Sequence, residues 1–124
     1  MVNLQNIRFS SISSNSASPT PFLAPSKDGE TLIIKQILIA NTTNTDATAT
    51  ALIRQASVIP GGSNGSDVYI IKDMLVPSNT SIEVLEGEYP ISRYYRPTYF
   101  DYLQGYASTS GIDVIIVYYK QGDL

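Results

Sequence analysis

The chain has 124 residues and a mass of 13.5 kDa, which is one domain with room for one core. It contains no His and no Cys, which removes the Ser-His-Asp triad, the Cys-His dyad and most zinc, haem, copper and iron–sulfur sites. Lys and Arg number 8 against 11 Asp and Glu, a net charge of −3, and no basic run offers a path for nucleic-acid phosphates.

The N-terminus, Met1-Val2-Asn3-Leu4-Gln5-Asn6, lacks the charged start and apolar stretch of a signal peptide, and no apolar run is long enough to span a bilayer. Absence of cysteine leaves the redox compartment open. Charged residues make up 15%, below the usual quarter. Ser, Thr and Asn carry the polar share instead, and Ile, Val and Thr supply about a quarter of the chain. These branched side chains favour pleated sheet over helix.

Residues 1–12 read as a weak strand with Leu4, Ile7, Phe9 and Ile12 as apolar positions. Residues 13–19 are a polar connector or arm. Residues 1–18 are therefore set apart as an N-terminal arm or weak strand, and 19–124 as the β-sandwich domain. Pro19, Pro21 and Pro25 bracket Phe22-Leu23-Ala24, an extended piece suited to a sheet edge because proline has no donor. Asp28-Gly29 signals a turn.

Residues 31–41 form the strongest strand, apolar on both faces. Four isoleucines and the lack of capping residues weigh against a helix there. Residues 42–46 turn the chain, and 47–58 alternate, with Thr48, Thr50 and Arg54 opposite Ala49, Ala51 and Ile53. The loop 60–67 separates this strand from the next, 68–76, and Pro77-Ser78-Asn79 makes another turn. In 80–86, Ile82 and Val84 face inward and Ser81 and Glu83 outward, and Gly87 ends the strand. Pro90 and Pro97 argue against a long regular strand in 88–100. Two final strands, 101–107 and 112–120, flank a turn at Ser108–Gly111, and the last is apolar on both faces. The frequent short strands with polar turns predict an all-β fold: a single jelly-roll-like β-sandwich of about eight antiparallel strands.

Several residue groups invite a chemical reading. Glu83, Glu86 and Glu88 could supply paired carboxylates, but their positions on a strand face and in a turn favour a solvated surface. The loop 60–67 holds one carboxylate, Asp67, too few for calcium, and it lacks the phosphate-loop pattern. No catalytic residue, cofactor or metal is expected. The segment Arg93-Tyr94-Tyr95-Arg96-Pro97-Thr98-Tyr99-Phe100 carries the residue types enriched at interface hot spots. Arg93, Tyr94, Tyr95, Arg96, Tyr99 and Phe100 are the candidate protein-contact residues. The same rings could instead cap one end of the sandwich or form a stacking platform for sugar. The arm before Ser18 is a second candidate contact. Strands 31–41 and 112–120 raise a further possibility: an outer face that this chain leaves uncovered calls for another chain.

An ordered series of short motifs carries a resemblance. It runs through Phe22-Leu23-Ala24-Pro25, Ile34-Lys35-Gln36-Ile37, Ile39-Ala40-Asn41-Thr42-Thr43, Tyr69-Ile70-Ile71-Lys72-Asp73 and Val76-Pro77-Ser78-Asn79 with the following 80–87. Asp101-Tyr102-Leu103-Gln104-Gly105-Tyr106-Ala107-Ser108 and Val114-Ile115-Ile116-Val117-Tyr118-Tyr119 close it. Over roughly residues 22–119 the chain resembles a loose group of small β-sandwich virion proteins of tailed bacteriophages. The resemblance implies a jelly-roll-like domain, a place on the virion assembled in the bacterial host cytoplasm, and no catalysis. It implies a capsid decoration (cement) role, or alternatively a neck or tail component. The partners would be the major capsid protein or other virion proteins, with a homo-oligomer, a trimer as the first guess, and no nucleic-acid or membrane partner. The chain departs from the group at 88–100, where a plain apolar-and-acidic strand is replaced by the Tyr/Arg/Pro-rich segment. A carbohydrate-binding module for host attachment is the further alternative.

Overall fold

The computed structural model describes residues 5–25, 29–57, 67–92 and 99–121. These form eight strands and no helix: β1 (Asn6–Ser11), β2 (Thr20–Leu23), β3 (Thr31–Asn41), β4 (Ala47–Ser57), β5 (Asp67–Val76), β6 (Thr80–Ser92), β7 (Tyr99–Ala107) and β8 (Ile112–Lys120). The expected all-β class with about eight antiparallel strands holds. One sheet has the order β1-β8-β3-β6 and the other β2-β7-β4-β5, all pairs antiparallel. The pairing is nested, β1 with β8, β2 with β7, β3 with β6 and β4 with β5. Successive strands of the first half thus find partners running backwards through the second.

The sheets meet face to face, because their buried side chains form one cluster. Phe22, Ile53, Leu103 and Val76 of the second sheet join Leu32, Ile34, Ile37, Ile39, Ile91, Ile112, Val114 and Ile116 of the first. Within the second sheet, Gly105 of β7 lets the Phe22 ring of β2 lie close against the β4 backbone. A Cβ there would meet the Phe22 ring at 2.8 Å and collide with the Thr50 carbonyl oxygen. Asn41, buried at the end of β3, ties the sheets at another point. Its Nδ2 donates to the Val76 and Thr45 carbonyls at 3.0 and 2.9 Å, and its Oδ1 accepts from the Thr43 amide and hydroxyl.

The apparent two-faced apolarity of β3 has a local cause. Leu32 and Ile34 are buried, then Ile37 and Ile39, so burial switches from even to odd positions. The switch occurs at Lys35, an extra residue relative to β8, where Ile34 pairs with Tyr118 and Gln36 with Val117. A bulge of this kind shifts the side-chain alternation by one. β8 needs no such device: Ile112, Val114 and Ile116 point inward, and Ile115 and Val117 outward.

The strand beginning at Thr80 does not stop at Gly87 but runs on to Ser92. Gly87 sits at φ 137° inside a register shift, and pairing with β3 resumes from Tyr89 to Ser92. Pro90 is accommodated because β6 is an edge strand, where a missing donor need not break a ladder. Residues 13–18 cross between the sheets as a hydrogen-bonded connector, with Ser13 accepting from the Ala107 amide at 2.8 Å and Asn15 closing the turn onto Ala17.

Candidate interaction surface

The described carboxylates lie in open or paired settings. Glu83, Glu86 and Glu88 line the exposed side of β6. Asp67 is held bidentately by Arg54 at 2.8 Å for both contacts, a link between β4 and β5. The Arg54 hydrogen bonds hold the Asp67 carboxyl below its usual range, and Asp67 raises the Arg54 guanidinium in turn. Lys35 bridges to Glu88 at 3.1 Å and lowers its pKa, with the Tyr119 hydroxyl also donating. Among the described residues, no three acidic side chains group as a metal site.

The outer face of the first sheet has a different character. Its side chains form rows running across all four strands. One row is Phe9, Ile115, Leu38 and Glu83, and the next is Ile7, Val117, Gln36 and Glu86. Each row begins apolar on β1 and β8 and ends acidic on β6. Gln36 donates to Glu83, which fixes the polar end. A third row, Ser11, Asp113, Ala40 and Ser81, is small and polar, with Ser11 donating to Asp113 at 3.1 Å.

Phe9 is 70% exposed and Ile7 59%, the two highest values among the described large apolar side chains. An isolated exposed apolar residue is ordinary, whereas neighbours lying side by side on two strands make a patch. Ile7 and Phe9 are, with Leu4 and Ile12, the apolar positions of the weak strand expected over residues 1–12. Only Ile12 of the described three is buried. Strict alternation was the available signal, since 7 and 9 share one face of a strand and 12 the other.

A second exposed apolar group lies on β5: Val68, Tyr69, Met74 and Leu75. Here the strand is bent. Asp73 adopts φ 50°, its amide bonds to the Thr50 hydroxyl at 2.9 Å, and the register with β4 shifts twice. The Lys72 ammonium lies 5.0 Å from the Tyr69 ring centroid, so this surface is kinked and partly shielded by charge.

Of the residues predicted to make protein contacts, Arg93, Tyr94, Tyr95 and Arg96 lie outside the described residues. Tyr99 and Phe100 open β7, paired in register with Ser57 and Ala56. Most of the loop 60–67 also lies outside, and Asp67 emerges from it as the partner of Arg54.

No protein-family model, no curated protein and no solved structure matches this chain.

Proposed function

We propose that this chain is a bacteriophage virion structural protein, a decoration protein that binds the assembled head and bridges capsid subunits. The observation that carries this reading is the open apolar stripe of Phe9, Ile115, Leu38, Ile7 and Val117 on a sheet face. A flat stripe of that kind suits a protein partner better than a small molecule, which prefers a concave site. The motif series over 22–119 and the nested strand pairing, read as the winding of a jelly roll, support the same conclusion. The role is stapling, with no chemical step and no cofactor. Each copy buries surface across a junction between capsid subunits, so their separation must also break its contacts. Many copies on one shell multiply the effect by avidity.

Particles assembled without the protein provide the test. Purified protein added to them should co-sediment saturably. Ile115→Lys, which places a charge in the middle of the stripe, should weaken that attachment at least ~10-fold, the ratio set by about 1.4 kcal/mol. The double change Tyr95→Ala with Arg96→Ala should weaken it separately if the Tyr/Arg segment is a second contact. Failure of the folded native protein to co-sediment would contradict the proposal.

A further inference from the structure

The molecule has four edge strands, β1 and β6 in one sheet and β2 and β5 in the other. An unprotected edge offers a row of backbone donors and acceptors to any passing strand, and proteins ordinarily blunt it. Three of these four edges are blunted. β2 is four residues long and contains Pro21. β5 carries two register shifts, the left-handed Asp73 and the charged Lys72. β6 carries register shifts, Gly87, Pro90 and the three glutamates. β1 is the least protected of the four: it pairs with β8 in unbroken register over all six residues, contains no proline or glycine, and bears a single charge, Arg8.

The direction of the free groups on β1 follows from the ladder. The register of β1 with β8 continues to Ile12 and Ile112, where the Ile12 amide donates to the Ile112 carbonyl at 2.8 Å. In an antiparallel ladder, residues that bond the neighbour alternate with residues whose N–H and C=O point away. Asn6, Arg8 and Ser10 therefore bond β8, and Ile7, Phe9 and Ser11 present their backbone groups at the open edge. Among the described residues no strand pairs with that edge, and of its groups the Ser11 carbonyl accepts from the Ser10 hydroxyl at 3.2 Å. Two of the three residues that present backbone groups there also carry the most exposed large apolar side chains among the described residues.

We infer that β1 is a self-pairing edge: a second copy of this chain adds its own β1 antiparallel across a two-fold axis at Phe9. The register centred on Phe9 sets Phe9 against its counterpart, Ile7 against Ser11, and Arg8 against Ser10. The alternative centred on Arg8 would oppose two guanidinium groups and is disfavoured by like-charge repulsion. Charge also selects a second copy as the occupant. The glutamates of the face lie on β6, three strands from the axis, so the two-fold places the two glutamate rims at opposite ends of one continuous eight-stranded sheet. Among the described residues, Asp113 of β8, already bonded by Ser11, is the one acidic residue of the face nearer the axis. The pairing uses edges and leaves the outer faces open, so it doubles the apolar stripe rather than covering it. It does not depend on the virion reading.

Ser11 gives a clean test. Its N–H points away from β8, so Ser11→Pro removes an edge donor without breaking the ladder inside the protomer. Ser11→Ala loses the same hydroxyl contact with Asp113 and keeps the donor, and so serves as the control. Light scattering at micromolar concentration should give the native protein and Ser11→Ala twice the 13.5 kDa of one chain. Ser11→Pro should fall to half that mass, with unchanged circular dichroism. A native mass of one chain, a trimer, or a dimer that persists in Ser11→Pro would each overturn the inference. A monomer that still attaches to particles would overturn it while leaving the proposed function standing.

Discussion

Gly105 and Asn41 show how single residues hold the sandwich, Gly105 within the second sheet and Asn41 between the two. Gly105 leaves room for the Phe22 ring against the β4 backbone, and the Thr50 carbonyl cannot retreat without breaking its sheet. Gly105→Ala should cost about 1–3 kcal/mol in a denaturant titration, as overpacked cores do. Asn41→Ala strips the buried Val76 carbonyl of this donor and should cost a similar ~1–3 kcal/mol. The Arg54–Asp67 pair is partly exposed, at 34% and 30% for its two side chains, and solvent screening limits it. Asp67→Asn should therefore cost less than ~1 kcal/mol. Its pH dependence has a definite sign. The Asp67 carboxyl is depressed in the folded state, so its contribution is complete above the unfolded value of about 4 and disappears as pH falls through the folded value. Acid titration of the native protein and Asp67→Asn should show their stability difference shrinking below about pH 4.

At the scale of elements, the bulge at Lys35 decides the fate of β3. It changes which positions face the core: Ile37 and Ile39 point inward because the bulge absorbs the extra residue, Lys35. Deleting Lys35 removes that extra residue and leaves Leu32, Ile34, Ile37 and Ile39 in strict alternation on the core face. The deletion, like Lys35→Ala, should therefore keep a cooperative thermal transition, and loss of that transition on deletion would contradict this account of the bulge. This element also explains what sequence reasoning could and could not reach. The bounds of β3 and β8 were legible because apolar runs between polar turns mark them. The facing of β3 was not legible, because a bulge is set by pairing with neighbours far along the chain. A run interrupted by a bulge looks apolar on both sides. The continuation of β6 through Gly87 and Pro90 was missed for a related reason: both residues are strand breakers in isolation and are tolerated on an edge. The outward turn of Ile7 and Phe9 was readable from their spacing relative to Ile12, although composition alone favoured burying them.

For the whole molecule, the graded outer face organises the functional account. Along the two rows through Phe9 and Ile7, apolar side chains gather on β1 and β8 and glutamates on β6, and the strand between them carries Leu38 and Gln36 as the transition, while Asp113 of β8 lies in the small polar row beyond. That gradient sets a direction for docking. A partner surface with an apolar strip and a basic border on one side would match it, and such binding should weaken with salt only as far as the acidic rim contributes. Attachment of the native protein to particles should accordingly survive raised ionic strength better than a contact made of charges alone, which co-sedimentation across a salt series would read. Self-pairing at β1 would present two such gradients back to back, with the apolar halves adjoining.

The proposed virion role is tested most directly by looking for this protein in purified phage particles and measuring its copy number there, by quantitative mass spectrometry against the major capsid protein. A decoration protein should be present in a fixed ratio to the capsid protein, amounting to tens or hundreds of copies. A ring of about six or twelve copies would assign it to the neck or tail instead. Absence from the particle would contradict the virion assignment altogether.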